Sequence, residues 1–319
     1  MPIPSYPFKT QYFDREHADG DTSEAGPLDF LIYTPHSGRI EDFLKQHPEL
    51  LENSWLTRQQ LTDICDMEAD TGTRELGEKL AHMLATQGFR VALTEVLVPR
   101  EVVDVNRISE CTIHPTFDLI QHLELKNKLA DYYNQVIAER KRLIRSLKPG
   151  GKMIELHSMR PFDTATDGKP PPILSSNDAE AYYQKRIDAL NANEAAHTRT
   201  HCLVTKYEGK KYSDLQDRLL ADPVLLDALR EVLNKYEIKF NDQDYAFFDH
   251  VLGVLEPELY DQCVVIDIDK RALLKYVSGK INLKAEVDEA KITTFAGYLM
   301  EALILARQTS ANSQEMAAE

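Results

Sequence analysis

Two short apolar runs end in a His-Ser pair: Leu31-Ile32-Tyr33-Thr34-Pro35-His36-Ser37 and Ile154-Glu155-Leu156-His157-Ser158. Imidazoles at the ends of separate strands, joined by one carboxylate, are the elements of a catalytic zinc site, which uses three protein ligands and leaves a position for water. Asp63, Asp66 and Asp70 lie three and four residues apart, so a helix would put them on one face. The ligand set therefore reads His36, His157 and either Asp66 or Asp70, and spacing does not choose between the two acids. A metal there would acidify a bound water and polarise a carbonyl. A third apolar run ends in Asp104-Val105-Asn106-Arg107. An arginine fork grips a carboxylate through two parallel hydrogen bonds, and an asparagine amide can donate beside it. Each feature also has a plainer account. A single His more often caps a strand or sits bonded in the core, and an Arg in an acidic chain often pairs with a neighbouring acid. Two His-Ser endings on separate runs tip the balance towards a site.

These residues need a sheet to hold them. Leu28 to Thr34, Phe89 to Leu97, Val102 to Asn106, Met153 to His157 and Val264 to Asp269 read as strands. Only a short turn separates Phe89–Leu97 from Val102–Asn106, which predicts neighbours in the sheet. Helices are expected over Glu41 to Glu52, over Thr57 to Ala85 with a break near Gly72, and over Thr116 to Leu147. Further helices are expected over Ala181 to Asn193, from the Asp222-Pro223 cap to Tyr236, and over Thr293 to Ala306. Strand, long helix and strand in succession imply a parallel crossover, hence an α/β fold whose polar strand ends build the site. Residues 1–27 read as an irregular arm, 28–306 as a single α/β domain and 307–319 as a polar tail. Residues 159–180 form a Pro-rich loop, too long to be a mere connection. The run Glu139-Arg140-Lys141-Arg142 reads as the solvated end of a helix.

The bulk properties exclude some partners. A net charge of -15 over 319 residues argues against nucleic acid and against an anionic membrane surface. No apolar run is long enough to span a bilayer, and the first residues lack the layout of a secretory signal. Cys65, Cys111, Cys202 and Cys263 are scattered, with no CxxC spacing, and read as reduced thiols of a cytoplasmic protein.

Taken together, Tyr33-Thr34-Pro35-His36-Ser37-Gly38-Arg39, Cys65–Asp70, Val103–Arg107 and Glu155–Arg160 resemble the motifs of the N-formylglutamate amidohydrolase family. The resemblance extends more distantly to zinc carboxypeptidases and aspartoacylase. Asp167-Gly168-Lys169-Pro170 with Ser176-Asn177-Asp178 is similar to the family's loop after its second His motif. The resemblance implies a three-layer α/β/α sandwich around a mixed sheet, of the phosphorylase/hydrolase type. It implies one zinc ion on His36, His157 and Asp66 or Asp70. Asn106 and Arg107, with Arg39, would bind the substrate carboxylate. Asp267, standing where the family carries a Glu, would be the catalytic acid-base, with Arg160 beside it. Asp267 is one methylene shorter than that Glu, and Glu155 stands where the family often has Asp. The implied activity is hydrolysis of a linear amide C–N bond in a small acidic N-formyl or N-acyl amino acid. Two alternatives stay open: a carboxypeptidase-like hydrolase, and a catalytically weakened relative that only binds.

Overall fold

Seven strands form one mixed sheet in a computed structural model that describes residues 7–16, 26–107, 123–159, 175–192, 200–207, 219–246, 262–275 and 286–318. The strands are β1 (Phe8–Phe13), β2 (Leu28–Thr34), β3 (Val91–Val96), β4 (Leu147–Met159), β5 (His201–Tyr207), β6 (Phe240–Ala246) and β7 (Cys263–Asp269). Their order across the sheet is β1-β3-β2-β4-β7-β5-β6. β2 runs parallel to β3 and β4, and β4 runs parallel to β7. β1 and β5 pair antiparallel with β3 and β7, and β6 lies parallel to β5. Every residue of β2 is buried, as expected of a near-continuous apolar run covered on both faces.

Helices α1 (Ile40–Gln46), α2 (Glu49–Glu52), α3 (Arg58–Glu68), α5 (Leu123–Arg145) and α6 (Ser176–Ala192) belong to one face of the sheet. Helices α4 (Thr73–Thr86), α7 (Pro223–Lys235) and α8 (Glu289–Ala318) cover the other. Side chains alternate between the two layers along each strand. Tyr33, Met153 and Val265 face the α5 layer, whereas Ile32, Ile154 and Ile266 face the α4 layer. Leu76, Leu80 and Leu84, four residues apart on α4, are fully buried. Each contributes about 1.5–3 kcal/mol by leaving water, which outweighs any helix propensity. The architecture is the expected three-layer α/β/α sandwich.

The site follows from the connections. From β2 the chain returns to β3 on one side. It then crosses through α5 to β4 on the other side. The reversal at β2 is a topological switch point at the carboxyl ends of β2 and β4, where open α/β sheets build their sites.

Several expectations need correction. The N-terminal arm contains β1, which covers the edge of β3. The polar tail is helical, because α8 continues to Ala318. Glu41–Glu52 is two helices, broken at His47-Pro48, since proline disfavours helix at the residue before it. Val102–Asn106 is not a strand. Its amides close turns, with Val102 and Val103 donating to Pro99 O and Arg107 to Asp104 O. The two valines are apolar because the turn lies against the core, where they are at most 1% exposed. Strands β5 and β6 carried no clear alternation and were not expected. Among the described residues no helix is long and apolar enough to cross a membrane.

Gly38 sets how closely the loop after β2 can pass β3. A Cβ there would lie 2.5 Å from Leu97 O and 2.6 Å from the Val98 carbonyl carbon. Backbone atoms cannot swing away, so Gly38→Ala is expected to destabilise by about 1–3 kcal/mol in urea unfolding. A change below about 0.5 kcal/mol would show that the loop reseats freely.

Candidate metal centre

His36, in the loop leaving β2, and His157, near the end of β4, meet Asp70 from the turn between α3 and α4. One ligand atom from each of the three lies within 4.8 Å of the others, and all three residues are buried. The imidazole centroids are 5.1 Å apart. Asp70 is fixed because its turn is tied down from several sides. Lys270 Nζ donates to Ala69 O at 2.6 Å, Thr73 Oγ1 to Asp70 O at 2.7 Å, and Ser158 Oγ to Thr71 O at 3.2 Å. Gly72 supplies the left-handed backbone (φ 93°) that starts α4. Asp66 lies one turn earlier on α3, half-buried and outside the group. Of the two acids that spacing left open, Asp70 and not Asp66 lies with the two histidines.

His157 is held at both ring nitrogens. Nδ1 lies 3.0 Å from Asp70 Oδ2, and Nε2 lies 2.8 Å from Glu155 Oε1. Asn106 Nδ2 donates to the same Glu155 oxygen at 2.6 Å and lies 2.9 Å from His157 Nε2. The other oxygen of Glu155 takes Nη2 of Arg140 from α5, and both of these residues are fully buried. Burial by itself would push the His157 ring towards neutrality, but hydrogen bonds to Asp70 and Glu155 outweigh it and raise its pKa to about 10. Burial works against the Asp70 carboxylate, yet the His157 hydrogen bond and the nearby His36 and Arg100 hold its pKa down. His36 behaves oppositely. Burial drives its pKa to about 4 against the opposing pull of Asp104, which keeps the imidazole in the neutral form that binds metals.

The donor set suits a metal ion. Two imidazoles and one carboxylate match a three-ligand zinc site. Ligands at ~2.0–2.1 Å in a tetrahedron stand roughly 3.3 Å apart, close to the 3.0 Å between His157 Nδ1 and Asp70 Oδ2. His36 Nδ1 is buried with no hydrogen-bond partner among the described residues, so this ring has a lone acceptor or donor to spare. Glu155 takes the remaining nitrogen of His157, as the carboxylate partners of metal-bound histidines do.

Beside the triad lies a cationic fork. Arg100 Nε and Arg107 Nε both donate to Asp104 Oδ2 at 3.1 Å, and Asn106 N donates to Asp104 Oδ1 at 2.9 Å. Burial would raise the Asp104 pKa, but the two guanidiniums hold it far below the usual carboxylate range. Asp104 also stands 3.7 Å from His36 Nε2. Arg100 did not emerge from the sequence as a site residue. Its signal was the position after Pro99 at the end of β3, four residues before Asp104. It bonds Asp104 through Nε alone among the described residues and is 26% exposed. The charges of Asp70 and Asp267 also act on it.

The remaining candidates divide. Asp267 is the register partner of His157 across β4 and β7, so it faces the same layer, half-buried. Asn106 turns its amide nitrogen inward to Glu155 and leaves its buried carbonyl without a hydrogen-bond partner among the described residues. It therefore offers an acceptor, not the donor a carboxylate needs. Arg39 is 71% exposed and stands 3.9 Å from Glu75. Arg160 and the Asp167–Pro170 stretch lie outside the described residues. Arg140, expected at a solvated helix end, is instead fully buried, because it falls on the apolar stripe of α5 four residues after Val136.

No protein-family model and no curated protein matches the chain. Solved structures do. An N-formylglutamate amidohydrolase from Ralstonia eutropha JMP134 aligns over 97% of this chain and 98% of its own at 14% identity, with a TM-score of 0.53. A gene product of Agrobacterium tumefaciens aligns over 96% and 95% at 16% identity, with a TM-score of 0.48. A metallo-carboxypeptidase from Burkholderia cenocepacia aligns over 97% of this chain and 66% of its own at 10% identity, with a TM-score of 0.37. What the chain shares with the amidohydrolase is the fold, from end to end.

Two measurements test the centre. Zinc content should fall in His36→Ala, His157→Ala and Asp70→Asn and persist in Asp66→Asn. Zinc retained by Asp70→Asn but lost from Asp66→Asn would reverse the assignment. Arg140→Met strands the Glu155 charge and should cost about 3–5 kcal/mol in chemical unfolding, whereas Arg140→Met combined with Glu155→Leu should recover most of it.

Proposed function

We propose that the chain is a zinc-dependent amidohydrolase that cleaves a linear C–N amide of a small acidic N-acyl amino acid, N-formylglutamate being the first candidate. The observation that carries this reading is the convergence of His36, Asp70 and His157 beside the Arg100–Asp104–Arg107 fork. Fold likeness alone does not select a substrate. The acidic substrate is argued from the cations, and the likeness to an N-formylglutamate amidohydrolase orders the candidates.

Zinc, when bound, would acidify a water and polarise the scissile carbonyl. Arg100 directs its unbonded amino groups towards charge on the substrate, either its carboxylate or the oxygen that becomes negative at the carbonyl. Arg107, anchored on Asp104, adds positive potential and keeps Asp104 ionised. Asp267 takes the proton of the attacking water and returns it to the leaving nitrogen. The balance is one water added across one C–N bond, with hydroxyl on the acyl carbon and hydrogen on the amine. Cys65, Cys202 and Cys263 are free thiols, which supports a reducing compartment such as the cytoplasm. The acidic chain supports a small-molecule substrate over nucleic acid.

Turnover of N-formylglutamate and N-acetylglutamate by the zinc-loaded protein should exceed that of N-acyl amino acids with neutral side chains. Arg100→Met should lower kcat about 10²–10³-fold if it meets the developing negative charge. A rise in KM with kcat unchanged would assign it to the substrate carboxylate instead. Zinc uptake with no hydrolysis across the panel would replace the enzyme by a binding protein.

A further inference from the structure

Arg140 lies on the buried stripe of α5, which also carries Tyr133, Val136 and Leu143, and has no exposure to water. Its guanidinium lies 4.7 Å from the centroid of the Tyr33 ring and pairs with Glu155. Neighbours on this face of the strands, Tyr33, Met153 and Val265, are largely apolar. A pair of apolar side chains would fill such a space with no loss of stability, because desolvation of two charges offsets their attraction. The pair also divides its bonds in an informative way. Arg140 Nη2 takes Oε2 of Glu155, while His157 Nε2 and Asn106 Nδ2 meet Oε1. Arg140 thus sets the rotation of the carboxylate, and the carboxylate sets the ring.

We propose that the buried Arg140–Glu155 pair is a positioning device for His157, which directs Nε2–H to Glu155 and leaves Nδ1 facing Asp70 as the ligand nitrogen. The proposal rests on the metal-centre reading. Arg140 and Glu155 do not touch the ion; they act through the orientation and tautomer of one ligand.

The experiment compares the full-length wild type with the Arg140→Met/Glu155→Leu double variant, which removes both charges together and so avoids stranding either. Zinc affinity is measured by chelator competition, and the visible spectrum is recorded after cobalt loading. The double variant should bind zinc 10–100-fold more weakly and show a shifted cobalt spectrum while its unfolding midpoint stays near that of the wild type. Equal affinity with an unchanged spectrum would overturn the proposal. A second measurement needs no variant. In ¹⁵N-histidine spectra of the zinc-loaded wild type, the His157 proton should reside on Nε2, and a proton on Nδ1 would overturn it. A wild type that takes up no zinc would refute the metal centre itself, which separates that failure from this one.

Discussion

The constraint on which the structure depends is charge balance among buried side chains. Arg140, Glu155, Asp70 and His157 are buried together and joined in one chain of contacts. Two carboxylates there require two positive charges, because an unpaired buried charge costs several kcal/mol. Arg140 supplies one. The other falls on the region between Asp70 and His157, either as a proton on the imidazole or as a cation held by the same atoms. The stability of this layer and the metal affinity proposed for it would then be two consequences of one electrostatic requirement.

The sheet makes this arrangement possible through register. Tyr33 of β2 stands beside Glu155 of β4, and Asp267 of β7 stands beside His157. Period-2 alternation puts Glu155 and His157 on the same face, two residues apart, one deep beneath α5 and the other near the open end. Moving β4 by one residue would turn both into the α4 layer, where Ile32 and Ile266 pack. The apolar strands on either side thus specify the register that the polar site needs.

The second charge centre, Asp104 between Arg100 and Arg107, is built differently. It sits in a turn, and its geometry comes from side chains bonding one carboxylate from both directions. Arg107 is committed to Asp104 and Asn106 to Glu155. Arg100 bonds the same carboxylate through Nε and is 26% exposed. Within this motif Asn106 and Arg107 hold Glu155 and Asp104 respectively.

The sequence by itself determined the chemistry on offer and the frame that carries it. The apolar runs of β2, β4 and β7, the long amphipathic α5 and the Asp222-Pro223 helix start are local signals, written in side-chain period and capping. The two His-Ser endings are of the same kind. It did not reveal β1 or β6, whose edge positions relax the alternation that marks a half-buried strand, nor β5, which lies between β7 and β6. Nor did it show that Val102-Val103 is a turn, since an apolar pair buried under a loop looks like one buried in a sheet. Only the tertiary structure placed Asp70, and not Asp66, beside the two histidines, because helix spacing allows either acid and the placement lies in where the α3–α4 turn is tied to β4 and Lys270. It alone showed Arg140 as an interior charge. In the sequence that residue belongs equally to a basic cluster and to the apolar stripe of α5. Which identity prevails depends on Glu155, 15 positions away along the chain and adjacent only after folding.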